Sequence, residues 1–343
     1  EAAAPHVVRS VDCAHWLRTH PMDAAAMKEE FGWEATPLAE AVKEYVEWVK
    51  GGELISVAAS EAVPPPMPST EVVTTTTTNG VPQVLAGLSM VVTGGASGIG
   101  KGIVLHAASK GCAVVYLDLR DTPLEGGMTT SEAAKGLPGR VVFLPGDVTK
   151  KADHERAARK AIELTGRLDI WVNNAALDLT DPPHNKSQKL LDVEEDQFDA
   201  VMGVNVKGYL LGAKAAVATF LKQERREATG LRGKVIFIAS QHGMVACPGN
   251  VPYGVSKAAA AQMMRIIAVD YANDFITCNA VAPGKIVKDP NRPVAQYSYD
   301  RTPCPVLGKP SDIAAAVCHL AGDECGQYKT GAVEMVDGGW MAF

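Results

Sequence analysis

Short apolar, β-branched runs alternate with stretches whose apolar residues recur at helical spacing. Residues 88 to 93, Leu-Ser-Met-Val-Val-Thr, read as a buried strand. Glycines follow, and residues 99 to 109 then carry apolar positions at helical spacing. A second apolar run, residues 113 to 117, ends in Asp118. Strand, glycine-rich turn, helix and strand make one βαβ unit. Further along, residues 234 to 239 form another strand-like run that ends on Ser240, and residues 256 to 272 have the small and apolar residues of a packed helix. This alternation predicts an α/β fold.

The pattern changes ahead of residue 84. Residues 61 to 83 hold a Pro-rich stretch, Pro64 to Pro68, and five threonines, Thr74 to Thr78, which is linker composition that cannot build a core. Residues 1 to 60 read as a separate small helical segment. Asp23 can cap a short helix through Glu30. Thr36 before Pro37 is a helix start and Gly51 with Gly52 a stop. Between them Leu38, Val42, Tyr45, Val46 and Val49 form one apolar stripe. So short a segment makes a poor independent domain. The stripe is expected to dock on the α/β domain that follows, a sister subunit or another protein. The domain division expected is therefore 1–60, 61–83 and 84–343.

Composition narrows the function classes. Apolar residues make up 47% of the 343, enough for a large core, and the net charge of −6 argues against a nucleic-acid footprint. No apolar run approaches the length of a membrane span. The seven cysteines are scattered without C-x-x-C pairs, which points to a reducing compartment, cytoplasm or organelle matrix, and no disulfide framework. Cys318, His319 and Cys325 are read as core filling rather than as metal ligands. The first residue is not Met, so the chain is expected to be a fragment or a processed product.

The glycine-rich turn suits a dinucleotide. Gly94 can take the sharp turn, Gly98 allows close approach of a pyrophosphate, and Gly100 lets helix and strand pack. The helix N-terminus offers free N–H groups and a positive dipole end to phosphates. Asp118 lies eighteen residues past Gly100, near the spacing of an acid that bonds the ribose hydroxyls. A carboxylate there accepts from the 2′-hydroxyl of NAD and repels the 2′-phosphate of NADP, and Ser97 offers no positive charge. Arg120 is the nearby base that could answer a phosphate. NAD is favoured over NADP.

A second constellation can move a proton. Tyr253 and Lys257 stand four residues apart, which on a helix puts both on one face. A free phenol has a pKa near 10, too high for an efficient base at neutral pH, and a nearby ammonium lowers it. Alone, Y-x-x-x-K would describe many helix surfaces. Ser240 changes the weighting because it ends a strand, and open α/β sheets place ligands at strand carboxyl ends.

With these motifs the chain resembles the short-chain dehydrogenase/reductase family. The matches run in family order: residues 93 to 100 (Thr-Gly-Gly-Ala-Ser-Gly-Ile-Gly), Asp118, Gly146-Asp147-Val148, residues 173 to 176 (Asn-Asn-Ala-Ala), Asn205, Ser240, Tyr253 with Lys257, Pro283-Gly284 and residues 336 to 339 (Val-Asp-Gly-Gly). They span about residues 84 to 343. The resemblance implies a Rossmann-type doubly wound parallel sheet of strand order 3-2-1-4-5-6-7 and NAD-dependent interconversion of a small-molecule alcohol and its carbonyl. It implies that Ser240 polarises the substrate oxygen and that Tyr253 is the general acid/base. Lys257 would bind the nicotinamide ribose and lower the Tyr253 pKa, and Asn205 would hold a water that links Lys257 to solvent. Cofactor contacts are implied for Gly94, Ser97, Gly98, Ile99, Gly100, Asp118, Asp147, Val148, Asn174, Ala175, Tyr253, Lys257, Pro283, Gly284 and Ile286. A homo-oligomer, dimer or tetramer, is also implied.

Two positions depart from the family pattern. Lys288 stands where Thr or Ser often touches the carboxamide, leaving the Ile286 backbone to do so, and Thr277-Cys278 replaces a commoner Arg-Val. The substrate regions are residues 241 to 244, 285 to 307 and 178 to 188. The first two carry Gln241, His242, Lys285, Lys288, Arg292 and Arg301, which suit a polyol or sugar better than a steroid. His242 is as readily a loop residue as a substrate contact. Lys288 or Arg292 could instead meet a phosphopantetheine, which makes reduction of a 3-oxoacyl thioester the alternative. From another class, the chain could be an accessory subunit that keeps the fold as a scaffold, with residues 1–60 as its docking arm.

Overall fold

The computed structural model describes residues 77–78, 81–180, 188–289, 291, 294–325 and 328–342. The helices expected between residues 23 and 50, and most of the 61–83 linker, lie outside the described residues. The catalytic part is built on seven parallel strands: β1 Ser89–Thr93, β2 Ala113–Asp118, β3 Val141–Pro145, β4 Ile170–Asn173, β5 Gly233–Ile238, β6 Ile276–Pro283 and β7 Val333–Val336. Their spatial order is β3-β2-β1-β4-β5-β6-β7, as expected. Among the described residues, eight α-helices flank them in sequence: α1 Gly98–Ser109, α2 Thr130–Ala133, α3 Lys151–Thr165, α4 Glu195–Met202, α5 Gly208–Phe220, α6 Val251–Asp270, α7 Gln296–Arg301 and α8 Pro310–Ala321.

Sheets covered on both faces read as unbroken apolar runs, because neither side chain direction meets water. β1, β5 and β6 are buried at every residue. Alternation by two then sorts the side chains into two cores. Met90, Val92, Val114, Tyr116, Ile236 and Ile238 face α1 and α8, with Ile103, Val104, Ile313 and Val317. Val91, Val115, Trp171, Val235 and Phe237 face α3, α5 and α6, with Ala157, Phe220 and Met264. Burying each Val, Leu, Ile, Phe or Met side chain contributes about 1.5–3 kcal/mol. Cys318 fills the first core, and Cys325 packs against it.

Two local features shape the second layer. The Trp171 indole N–H donates to Asn173 Oδ1 at 2.9 Å. A Cβ on Gly212 would stand 2.2 Å from that same oxygen, so α5 can lie this close to β4 only with glycine there. Between α4 and α5 the chain runs through a π-helical turn, Gly203–Lys207, whose extra residue is the kind of bulge found at functional sites. Asn205 is its central residue.

β1 sits where the strand order reverses, with β2 on one side and β4 on the other. The crevice beyond the carboxyl ends of β1 and β4 is the place such sheets keep for ligands.

Candidate active site

The turn after β1 is clasped from β4. Thr93 Oγ1 accepts from the backbone N–H groups of Asn174 and Ala175, at 3.0 and 3.1 Å. The Asn174 amide donates to the carbonyls of Thr93 and Gly94, at 2.8 and 3.0 Å. Glycine is required here by geometry. Gly94 has φ +70° and a Cβ on it would meet Ala175 Cα at 2.8 Å, while a Cβ on Gly100 would meet the Gly94 carbonyl oxygen at 1.9 Å. Ile99 is the second residue of α1 and packs against the first core.

The outer edge of this turn is held by the segment after β2. Asp118 Oδ2 accepts from the Ala96 N–H at 3.0 Å, and its Oδ1 accepts from the Leu119 N–H at 2.8 Å. Burial pushes the Asp118 carboxyl above the usual carboxylate range, opposed by those backbone donors and by Arg120. The Leu124 N–H donates to Ser97 Oγ at 2.8 Å, and the Gly98 N–H donates to Glu125 Oε1 at 2.9 Å. A carboxylate accepting at the start of α1, where the first turn holds no acid of its own, is a direct sign that these donors suit an anion. The turn therefore fits the pyrophosphate of a dinucleotide. Glu125 gave no sequence signal beyond its charge.

The remaining residues of the expected cofactor set line the same end of the sheet. Asp147 follows β3, and its Oδ1 accepts from the N–H and the hydroxyl of Thr149, both at 2.8 Å. The Val148 carbonyl accepts from the buried ring of His154 at 2.7 Å. Pro283 ends β6, and the Gly284 N–H donates to the Val336 carbonyl at 2.9 Å. Ile286 is fixed by a parallel bridge to Gly308. Two residues on, the Lys288 side chain lies over the turn, with its Cδ 3.3 Å from where a Cβ of Gly98 would be.

The four catalytic candidates come together beside this crevice. α6 starts at Val251, five residues earlier than the pattern of small residues predicts, because Pro252 fits the first helical turn. Tyr253 and Lys257 therefore both sit near its N-terminal end. Lys257 is buried, and its ammonium lies 5.6 Å from the centre of the Tyr253 ring. It donates to the Ile238 carbonyl at 2.8 Å, two residues before Ser240, and to the Tyr209 hydroxyl at 3.1 Å. Burial, helped by the charge of Lys288, brings the Lys257 pKa down to about 7. Asn205 is buried. Its amide donates to Ser256 Oγ at 2.9 Å, and Ser256 in turn donates to the Tyr253 carbonyl at 2.7 Å. Asn205 also exchanges two hydrogen bonds with the Leu177 backbone, at 2.7 and 3.0 Å. Tyr209 and Ser256 were missed in the sequence. The spacing of four between Asn205 and Tyr209 on one helical path was the available signal.

Ser240 closes the cluster. Its hydroxyl accepts from the His242 N–H at 3.1 Å in a short 3-10 turn, Gln241–Gly243. A Cβ on Gly243 would meet the Lys257 backbone at 2.7 Å, so this turn lies directly on α6. Burial, with Lys285 adding to it, lowers the His242 pKa. The His242 ring meets the edge of Trp340 at 6.1 Å, and Trp340 meets Tyr297 at 5.6 Å. Beyond them is a cavity of about 570 Å³, lined among others by Tyr297, Asp300, Arg301, Pro303 and Trp340. That volume is in the range of small-molecule sites. Residues 181 to 187 of the third substrate region lie outside the described residues.

Known proteins match this picture. Residues 94–341 match the family model described as enoyl-(acyl carrier protein) reductase. An uncharacterized oxidoreductase of Thermotoga maritima is 35% identical over 75% of this chain and 98% of its own. Glucose 1-dehydrogenase 2 of Bacillus subtilis is 33% identical over 76% of this chain and 96% of its own. The crystal structure of a short-chain type dehydrogenase/reductase from Mycobacterium marinum superposes with a TM-score of 0.66 at 26% identity, covering 76% of this chain and 97% of that one. From its nucleotide turn to its carboxyl-terminal strand, the chain belongs to the short-chain dehydrogenase/reductase family of oxidoreductases.

Proposed function

We propose that the protein is an NAD-dependent oxidoreductase that interconverts a secondary alcohol or hemiacetal and its carbonyl, with Tyr253 as general acid/base. The observation that carries this is the buried Lys257 ammonium held against the Tyr253 ring beside a turn that already accepts a carboxylate. NAD, when bound, supplies the hydride acceptor for alcohol oxidation. The Gly94, Gly98 and Gly100 turn would hold its pyrophosphate, Asp118 its adenosine ribose, and Lys257 its nicotinamide ribose. Ile286 would offer backbone to the carboxamide. Ser240 donates to the substrate oxygen and fixes its position. Tyr253 takes the hydroxyl proton during oxidation and returns it during reduction. The charged Lys257 favours the phenolate, which brings the Tyr253 pKa toward working pH. The buried Asn205 shapes the bulge that faces them.

The substrate reading is a sugar or polyol. The cavity beyond His242 presents the ring edges and faces of Trp340 and Tyr297 together with Asp300 and Arg301, a mixture that suits a compact, hydroxyl-rich molecule. The similarity to glucose 1-dehydrogenase 2 supports the same reading. Reduction of a 3-oxoacyl thioester is the second reading, favoured by the matched family model and by the Lys288 side chain, which lies over the turn at Gly98.

NADH formation with a panel of aldoses, polyols and secondary alcohols, alongside NADH consumption with a 3-oxoacyl thioester, tests both. In the best pair, Tyr253→Phe is expected to lower turnover by a factor of about 10² or more while NADH still binds. Near-normal turnover by that variant would rule out the proposed chemistry.

A further inference from the structure

Between the end of β2 and the start of α2 the chain forms no helix or strand, and Pro123 and the Gly126–Gly127 pair are poor helix formers. Residues 119–129 run instead as a strap across the start of α1. The Leu124 N–H donates to Ser97 Oγ at 2.8 Å, Glu125 Oε1 accepts from the Gly98 N–H at 2.9 Å, and Lys101 Nζ donates to the Met128 carbonyl at 2.5 Å. The ends of the strap are firm. Asp118 belongs to β2, and the buried Thr130 donates its hydroxyl to the Gly95 carbonyl at 2.9 Å. The middle has little packing to hold it. Pro123 is the one buried residue from 119 to 129. Leu119, Leu124 and Met128 are 74%, 62% and 59% exposed. Gly126 and Gly127 have φ +79° and +81°, and nothing lies within 4 Å of where their Cβ atoms would be. A segment with few buried apolar contacts, held by polar ones, belongs to the low-stability end of a structure.

We infer that residues 119–129 are an autoinhibitory strap, whose Glu125 carboxylate fills the phosphate-binding end of α1 until a dinucleotide displaces it. The inference rests on the proposed reading of the turn as dinucleotide-binding. A backbone N–H is a single donor. Gly98 therefore cannot serve Glu125 Oε1 and a pyrophosphate oxygen at once, and the two anions repel each other at one helix end. Ser97 Oγ, the neighbouring candidate contact, is engaged by the same strap through Leu124. Lys288 over Gly98 and Arg120 beside Asp118 bring positive charge to the turn, which suits either anion. Glu125 is the anion that is always at hand. While the strap is closed, the molecule cannot seat a pyrophosphate, and apparent affinity falls by the fraction of molecules that are closed. The contested group is common to NADH and NADPH, so both bear the same penalty.

The test is equilibrium titration of the full chain with NADH and with NADPH, read by nicotinamide fluorescence. Glu125→Ala removes the competing carboxylate. It is expected to tighten both cofactors by one common factor, on the order of tenfold, as loss of one charge-assisted hydrogen bond from the closed state implies. Glu125→Gln keeps the shape and an acceptor oxygen without the charge, and should give a smaller gain of the same kind. In competition against NADH, ADP should gain by the same factor as the cofactors. Adenosine, which brings no phosphate to Gly98, should not gain. A merely structural loop contact would lower the melting temperature and improve no affinity. Wild type that binds NADH, with no tightening in either variant, would overturn the inference alone. A gain confined to NADPH, or shared by adenosine, would overturn it too, because the contested group would then not be the pyrophosphate. Failure of the wild type and both variants to bind either cofactor would overturn the dinucleotide reading and the inference together.

Discussion

Lys257 and Tyr209 meet at 3.1 Å, ammonium to phenol oxygen, and both donate to the same Ile238 carbonyl. Tyr209 is fully buried, and burial pushes its own pKa up, so it meets Lys257 as a neutral hydroxyl. A neutral hydroxyl that accepts from an ammonium favours the charged form.

Tyr209→Phe should therefore lower the Lys257 pKa below its value of about 7. Hydrogen bonds to charged groups are worth about 1.5–3 kcal/mol before rearrangement, so a shift of about one pH unit is expected. Less Lys257 would be charged at neutral pH, and the limb of the turnover profile that needs the ammonium should move to lower pH. A purely structural tyrosine would change the height of the profile and leave its midpoint in place.

Proton exchange should accompany cofactor binding. In the unliganded chain Lys257 holds its proton below about pH 7. The dinucleotide is anionic, so its arrival raises that pKa. Binding at pH 8 should take up a fraction of a proton, whereas binding at pH 5.5 should take up none through this group. Calorimetric titration in buffers of different ionisation enthalpy measures it, and proton release at pH 8 would contradict the assignment.

Gly100→Ala should damage the turn from inside. The new methyl would stand 1.9 Å from the Gly94 carbonyl oxygen and 2.5 Å from the Asn174 amide nitrogen. Overpacking against fixed backbone costs about 1–3 kcal/mol or more. A lower melting temperature and loss of dinucleotide binding are expected together, and thermal melts with and without NADH report both.

The start of the catalytic part can be located by truncation. A boundary at residue 84 would discard Gln83, which is buried and donates to the Ser109 carbonyl at 3.2 Å, one residue from a half-buried Val84 and two from the fully buried Leu85. A chain beginning at Thr77 should fold and bind dinucleotide, and one beginning at Val84 should melt at a lower temperature. Equal melting of the two would make Gln83 dispensable.

The sheet and the turn were legible for physical reasons. Strands buried on both faces must be apolar throughout, and residues 88 to 93 and 234 to 239 could hardly be read otherwise. Gly94 and Gly100 announce themselves because a side chain there would collide with backbone. The beginning of α6 was less legible, since Pro252 reads as a break unless the helix is known to start beside it. Tyr209 and Glu125 were illegible for a different reason. One makes its contact across the site to another helix, and the other sits on a loop that folds back onto a turn 27 residues away. Neither relation leaves a periodic trace.

The hydroxyl of Thr93 joins the first strand to the fourth through two backbone donors. Because those bonds are satisfied before any ligand arrives, the inner wall of the nucleotide turn has no freedom left to lose when a cofactor binds, and affinity is spared that entropic cost. The outer wall, at Asp118, Ser97 and Glu125, is held by the segment after β2. Under the proposed function, the inner side of this loop would aim the nucleotide and the outer side, at Asp118, would meet its ribose. Under that reading, substitutions on the outer side would retune which nucleotide is accepted and leave in place the frame that aims it.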